Sequence, residues 1–97
     1  MSATKDLLIK IRKLKPRIRK QYKVKEIELF GSSVRGEEKE TSDIDILAEF
    51  EEGADLFDLV GLGAFLEEEL RRKVDVIPKQ SLRQELRDSI LREAVPI

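Results

Sequence analysis

Two short apolar segments that each carry aspartate constrain this chain more than any other feature. Residues 44–50 read IDILAEF and residues 74–77 read VDVI, so both predict β-strands. Because side chains alternate along a strand, Asp43 and Asp45 are expected to point to the same side of the sheet. Two like charges about 4 Å apart repel by about 4 kcal/mol at an effective dielectric near 20, so stability alone does not explain this pair.

A divalent cation would turn the repulsion between these carboxylates into attraction. Mg²⁺ is commonly bound by a few carboxylates together with the phosphates of a nucleotide. Asp75, a third carboxylate on another predicted strand, would suit two metal ions that hold the attacking and the leaving oxygen of a phosphoryl transfer. Asp43, Asp45 and Asp75 therefore predict a unit that transfers a phosphoryl group from a nucleotide.

A glycine–serine pair follows the strand predicted at residues 25–30 (KEIELF). Gly31 and Ser32 would let backbone N–H groups and a hydroxyl approach a phosphate without obstruction. Arg35 could add a guanidinium to the same triphosphate. Taken singly, the pair is typical of an ordinary turn and Arg35 of an exposed surface, but the order of these residues along the chain favours a nucleotide site.

The composition excludes several kinds of chemistry. The 97 residues include no cysteine and no histidine, which excludes thiolate nucleophiles, thiolate metal sites and the commonest general base. A chain of this length predicts one domain, residues 1–97, with no second substrate-binding domain. No apolar run approaches the roughly 20 residues of a membrane span, and no secretory signal is evident, so we expect a cytoplasmic protein.

Charge is distributed unevenly along the chain. The segment from Lys10 to Lys25 holds nine basic residues and no acidic one, whereas Glu37 to Glu69 holds thirteen acidic residues and one lysine. The basic run is either the solvated face of the first helices or a docking surface for an acidic partner or nucleic acid. Tyr22 is its only aromatic residue, which argues against direct nucleic-acid binding by base stacking.

Apolar residues at helical spacing predict helices between and around the strands. The first helix covers residues 4–14, and Pro16 is expected to end it and to begin a short second helix over residues 16–21. A third helix follows the second strand. Gly61 and Gly63 weaken it by about 1 kcal/mol each relative to alanine, and we expect them to let the helix lie close to the sheet.

The loop and the last helix are predicted from polar signals. Residues 31–42 contain two glycines, three serines and a threonine, so they predict a loop with one helical turn near Ser33 to Arg35. Ser81 and Gln84 have the spacing of a capping box at the start of a last helix. Four apolar residues are expected on the inner side of that helix: Leu82, Leu86, Ile90 and Leu91.

The ordered motif resembles the minimal nucleotidyltransferases of the DNA polymerase beta superfamily. LFGSSVRGEEKETSDIDILAEF followed by KVDVI matches that family's pattern of Gly-Ser, ten residues, Asp-x-Asp and a later Asp. The closing LRDSILREAVPI is similar to the last helix of such proteins. The resemblance implies an α/β (α+β) fold, a small three-stranded mixed sheet backed by about four helices, with the site at one edge.

The resemblance also implies roles for individual residues. Gly31 and Ser32 would hold the β- and γ-phosphates of a nucleoside triphosphate, with Arg35 as an accessory contact. The three aspartates named above would bind two Mg²⁺ ions, and Asp75 would also help to take the proton from the attacking hydroxyl. A nucleotidyl group would pass to that hydroxyl, and pyrophosphate would leave.

The partner is implied by the resemblance alone. Stand-alone members of the family resemble antitoxins of two-gene toxin–antitoxin modules, whose partner is a small helical HEPN-type ribonuclease. The leading interpretation is therefore transfer of AMP from ATP to a tyrosine of such a partner. Two alternatives stay open: a non-catalytic module that neutralises its partner by contact, and a transferase that acts on a small molecule. No membrane is expected to take part.

Overall fold

The computed structural model describes residues 3–31 and 43–97, which form a mixed sheet with α-helices. The elements of these residues are α1 (Ala3–Tyr22), β1 (Val24–Phe30), β2 (Ile44–Phe50), α2 (Leu56–Leu70), β3 (Val74–Pro78), a 3-10 turn (Lys79–Ser81), α3 (Gln84–Glu93) and β4 (Val95–Pro96). The strand order is β3-β2-β1-β4. Strands β2 and β3 are parallel, and the other two pairs are antiparallel. The predicted α/β (α+β) class is confirmed.

Helix α1 runs without a break through Pro16, so the prediction of two helices over residues 4–14 and 16–21 is wrong. Pro16 lacks the N–H that would bond to the Arg12 carbonyl, at a cost of about 3 kcal/mol, but both residues are exposed and water can reach that carbonyl. On the opposite side of the helix an apolar stripe continues past the proline: Leu7, Ile11, Leu14 and Ile18. Burial of this stripe outweighs the loss at one position. The described residues therefore contain three α-helices rather than about four.

The sheet contains a fourth strand that the sequence pattern does not predict. Strand β4 has only two residues and lies beside β1. The chain end continues this pairing, because the Ile97 N–H donates to the Ile27 carbonyl at 3.1 Å and Lys15 Nζ donates to the Ile97 carbonyl at 2.6 Å. A two-residue strand that includes proline has no alternation to detect. The predicted count of three strands is thus corrected to four in the part of the chain described.

Helix α3 differs from the prediction at its start and on its inner side. It begins at Gln84 after Arg83, which provides no side-chain cap, and Ser81 lies in the preceding 3-10 turn. The predicted capping box at Ser81 is therefore wrong. Within α3 no residue is buried, and Leu86 is 54% exposed. The expected burial of Leu86 is also wrong.

A capping box is found instead at the start of α2. The Asp58 N–H donates to Asp55 Oδ1 at 3.1 Å, and the Asp55 N–H donates to Asp58 Oδ2 at 3.0 Å. Two aspartates thus do the work usually assigned to Ser or Thr with Glu or Gln. The reciprocal pair fixes the start of the helix that leads back towards the beginning of β3.

Side-chain alternation in β2 separates the core from the opposite face of the sheet. Ile44, Ile46 and Ala48 lie in the hydrophobic core with residues of α1 and α2. The two helices also contact each other through Tyr22 and Phe65, whose ring centroids are 5.6 Å apart. The residues between the core positions of β2 must point to the other face. The carboxylate of the second residue of β2 therefore faces away from α1 and α2.

The basic run lies mostly on the exposed side of α1. Its exposed residues there are Lys10, Arg12, Lys13, Arg17, Arg19 and Lys20. Lys15 is partly buried and lies 3.2 Å from Glu26 Oε2. Exposure of these residues fits both predictions for the basic run, a solvated helix face and a docking surface. Among the described helices, none combines the length and the apolar character that a membrane span requires.

The two glycines of α2 face different neighbours. A Cβ on Gly61 would lie 2.9 Å from Cε1 of Tyr22, whereas a Cβ on Gly63 would lie 3.9 Å from Cγ2 of Val76 in β3. Gly63 thus faces the sheet, as predicted. The expectation for Gly61 is wrong, because its missing side chain makes room for an aromatic ring of α1.

We expect Gly61→Ala to destabilise the fold and Gly63→Ala to stabilise it. Both changes gain about 1 kcal/mol of helix propensity, but the overlap of the new methyl group with the Tyr22 ring costs about 1–3 kcal/mol. Urea unfolding of the two variants measures the difference directly. Equal stabilisation by both would show that the Tyr22 ring moves aside without cost.

Candidate active site

Asp45 and Asp75 are paired across the two parallel strands of the sheet. Each is the second residue of its strand, and the two are Cα partners in the register of β2 and β3. Neighbouring strands lie about 4.8 Å apart, and paired residues point to the same face. Asp45 is half-buried and Asp75 is exposed. The register thus sets two carboxylates side by side at one edge of the sheet.

Asp43 lies at the same edge but is not gathered into a group with the other two. It comes immediately before β2 and is exposed, and alternation extended by one residue would set it on the face of Asp45. In the described ranges, no three side chains of His, Cys, Asp or Glu are close enough together to hold a metal ion. The structure brings Asp45 and Asp75 together and leaves Asp43 beside them.

Gly31 follows the last residue of β1 and lies directly beside Asp45. Phe30, the residue before it, is the Cα partner of Asp45, and Gly31 has a left-handed backbone with φ of 79°. A Cβ at this position would overlap the Asp45 carboxylate and would lie 3.1 Å from its Cγ. Glycine is therefore required twice, for its φ angle and for space. The sequence suggested only the need for phosphate access.

Two of the predicted phosphate contacts fall between the two described ranges of the chain. Ser32, Arg35 and the helical turn predicted near residues 33–35 lie outside the described residues. Gly31 is the part of the glycine–serine turn that the structure describes. It lies at the same edge of the sheet as the two paired carboxylates.

The donor atoms at this edge suit a hard cation. Asp45 and Asp75 offer carboxylate oxygens, and the chain has no imidazole or thiol to favour a softer metal. Mg²⁺ is usually bound by one or two carboxylates, with substrate phosphates and water as its other ligands. A pair of carboxylates beside a glycine turn therefore fits Mg²⁺ that arrives with a nucleotide.

Lys73 is a residue at this edge that the sequence analysis missed. It comes immediately before β3 and precedes Asp75 by two positions. The Ile44 N–H donates to the Lys73 carbonyl at 2.9 Å, which extends the pairing of β2 and β3 by one residue. The sequence signal for Lys73 is the spacing Lys73-Val74-Asp75, in which a cation comes two residues before the carboxylate.

Comparisons with known proteins agree with this geometry. Residues 11–97 match the family model described as nucleotidyltransferase domain. The chain is 52% identical over 77 residues to a Methanocaldococcus jannaschii protein assigned as a protein adenylyltransferase, which covers 79% of this chain and 83% of the relative. It is 44% identical over 81 residues to the protein adenylyltransferase MntA of Thermococcus cleftensis, which covers 84% and 82% of the two chains.

Solved structures show the same fold. A protein assigned as a minimal nucleotidyltransferase superposes with a TM-score of 0.84 at 35% identity, covering 100% of this chain and 97% of that one. A complex of a tri-AMPylated Shewanella oneidensis HEPN toxin with an MNT antitoxin matches with a TM-score of 0.60 at 22% identity, covering 82% of this chain and 62% of that one. The second likeness shows the fold alone. The predicted family is thus confirmed: the chain belongs to the nucleotidyltransferase domain family and is an enzyme of the minimal nucleotidyltransferase type.

Proposed function

We propose that this enzyme transfers AMP from ATP to a tyrosine hydroxyl of a partner protein, a HEPN-type toxin, in the cytoplasm. The observation that carries the proposal is the pairing of Asp45 with Asp75 beside Gly31. The relatives assigned as protein adenylyltransferases support a protein acceptor. The Shewanella complex of an AMPylated HEPN toxin with its MNT antitoxin supports the choice of partner.

The glycine–serine turn binds the triphosphate in this proposal. Gly31 and Ser32 donate backbone N–H groups and a hydroxyl to the β- and γ-phosphates. Arg35 adds an accessory contact through its guanidinium. The triphosphate then lies along the end of β1, with its α-phosphate next to Asp45.

The aspartates bind the metal and accept the proton. Asp43, Asp45 and Asp75 would hold two Mg²⁺ ions, which when bound neutralise charge on the reacting phosphate and on the leaving pyrophosphate. Asp75 accepts the proton of the acceptor hydroxyl as its oxygen bonds to the α-phosphorus. The bond from the α-phosphorus to the bridging oxygen breaks, and its electron pair leaves with pyrophosphate. AMP remains on the acceptor oxygen.

An exposed apolar ridge supports a protein partner. Leu56, Phe57 and Val60, on the first turns of α2, are 70%, 86% and 62% exposed. Large apolar side chains grouped on a surface are typical of sites at which another protein binds. The ridge lies at the end of the sheet opposite the carboxylates, because α2 begins after the end of β2 and ends before the start of β3. A partner could therefore dock there without blocking the nucleotide.

The proposal is tested by mixing the purified chain with Mg²⁺-ATP and the product of the neighbouring gene. We expect intact-mass spectrometry to show one or more AMP groups added to the partner, and peptide mapping to locate them on tyrosine. No mass increase on either chain would refute the proposal. Labelling of an added small-molecule alcohol in place of the partner would support the small-molecule alternative instead.

We expect Mg²⁺ with a nonhydrolysable ATP analogue to raise the melting temperature of the enzyme. A ligand that binds only the folded state stabilises it by about 2.7 kcal/mol at 100 times its Kd. Asp45→Asn should lose most of this gain, whereas Asp6→Asn, which changes an exposed carboxylate on α1, should keep it. Thermal unfolding with and without millimolar Mg²⁺ measures the difference. The same gain in both variants would contradict a site at Asp45.

A further inference from the structure

The segment from Arg71 to Lys73 brings three cations to the edge of the sheet that carries Asp45 and Asp75. It joins the end of α2 to the start of β3. Arg71 and Lys73 are exposed and Arg72 is half-buried. Three glutamates, residues 67–69, come just before the segment, so its positive charges stand out against the sequence that precedes it.

Backbone hydrogen bonds hold this segment against both of its neighbours. The Arg71 N–H donates to the Glu67 carbonyl at 2.8 Å, and the Lys73 carbonyl accepts from Ile44 at 2.9 Å. The Val74 N–H donates to Glu67 Oε2 at 3.0 Å. These hydrogen bonds tie the backbone of the segment to α2 and to β2, so its Cα positions are fixed relative to the strands that carry the carboxylates.

The side chains of the segment border an open cleft of about 510 Å³, lined by Glu67, Arg71, Arg72 and Lys73. Among the described residues, no ion pair joins Arg71 or Lys73 to an acidic side chain. Arg71 and Lys73 therefore contribute two exposed positive charges to a cleft whose lining contains one carboxylate, Glu67. The cleft is suited to an anionic group supplied by another molecule.

The strand order indicates whether this cleft lies on the nucleotide side or on the acceptor side of the proposed site. Gly31 follows β1, on one side of Asp45, while Asp75 lies on β3 at the edge of the described sheet. A triphosphate bound at Gly31 thus leaves the Asp75 side for the acceptor. Lys73 comes immediately before β3, two residues from Asp75, with β2 between it and Gly31. Lys73 therefore lies on the side from which the acceptor would approach.

We propose that Arg71 and Lys73 dock an acidic segment of the acceptor protein beside the hydroxyl that receives AMP. This inference rests on the proposed function, since it needs a protein acceptor. Charged pairs at the rim of an interface accelerate encounter and are weakened by salt. Arg71 and Lys73 therefore position the acceptor, whereas the carboxylates carry out the transfer.

The test compares Arg71→Glu/Lys73→Glu with a control reversal on another surface. Arg19→Glu/Lys20→Glu reverses two exposed charges on the last turn of α1, at the opposite end of β1 from Gly31. AMP transfer is measured against acceptor concentration at low and high salt, and ATP affinity is measured separately. Thermal unfolding shows whether each variant is folded, and Arg71→Gln/Lys73→Gln serves as a milder version.

We expect the charge reversal at residues 71 and 73 to raise the KM for the acceptor by about tenfold at low salt. The difference should shrink as salt is added, with kcat and ATP affinity retained, and the α1 control should behave as wild type. An unchanged KM would overturn the inference, as would lost ATP affinity, which would assign the cations to the triphosphate. Competition by single-stranded RNA that depends on Arg71 and Lys73 would also overturn it, in favour of nucleic acid. Absence of transfer by the wild-type enzyme would be a failure of the proposed function itself.

Discussion

Asp45→Asn is expected to reduce AMP transfer by at least about 10³-fold while the enzyme stays folded and bound to its partner. The amide keeps the shape of the carboxylate, so the contact with Gly31 is retained. It removes a negative charge from the Asp45–Asp75 pair, where we propose that the metal binds. Loss of metal-assisted charge stabilisation is worth several kcal/mol, and each 1.4 kcal/mol is a factor of about ten in rate. The measurement is the initial rate of AMP incorporation into the partner.

The controls for this prediction separate catalysis from contact. Asp88→Asn changes an exposed carboxylate on α3 and should leave the rate unchanged. Asp75→Asn should lower the rate by about 10²–10⁴-fold, because in the proposed mechanism Asp75 is the general base. Catalysis and neutralisation by contact are distinguished by whether the Asp43→Asn/Asp45→Asn variant still neutralises the partner. If that variant neutralises as well as the wild type, contact alone is sufficient and the catalytic account is contradicted.

Gly31→Ala is expected to destabilise the fold by about 2–5 kcal/mol and to abolish transfer. Forcing an L-residue into a left-handed conformation costs about 1–2 kcal/mol, and overpacking against a neighbour adds about 1–3 kcal/mol. Here the new methyl group would overlap the Asp45 carboxylate. The variant therefore disturbs the turn and the metal site together. Urea unfolding and the transfer rate are the two measurements.

Gly53→Ala is a matched control for the cost of placing alanine in a left-handed backbone conformation. Gly53 also has a left-handed backbone, with φ of 91°, but a Cβ there would have nothing within 4 Å. It should lose only about 1–2 kcal/mol and keep its transfer rate. In an Asp45→Ala background, the cost of Gly31→Ala should fall close to that of Gly53→Ala, since the carboxylate is gone and only the Cβ of residue 45, at 3.3 Å, remains near. A cost that does not fall would show that Asp45 does not limit the space at Gly31.

The strands that carry the site could be predicted from the sequence because their signal is local. The alternation in residues 44–50 marks β2, and the observed strand has the same bounds. The pairing of Asp45 with Asp75 is one step less local. It requires β2 and β3 to be parallel neighbours, and this follows from the helix that crosses between them, as is usual for such units. The register pairs Asp45 with Asp75, whereas Asp43, the third aspartate predicted for this edge, is not grouped with them among the described residues.

Features that depend on tertiary contacts could not be predicted from local patterns. Pro16 is a helix breaker by propensity, but the buried stripe on the far side of α1 overrides it. Strand β4 exists because its two residues find an open edge of β1, and the sequence has no signal for this. From the sequence, Gly61 is expected to let α2 lie close to the sheet, but its neighbour is the Tyr22 ring on α1. In each case packing between different elements of the fold decides the outcome.

The position of the metal tests the central claim most directly. The measurement is anomalous diffraction from Mn²⁺ in crystals of the enzyme grown with a nonhydrolysable ATP analogue. We predict a metal peak between the carboxylates of Asp45 and Asp75, with the β- and γ-phosphates at Gly31. A metal bound elsewhere on the chain, or phosphates directed away from Gly31, would contradict the account.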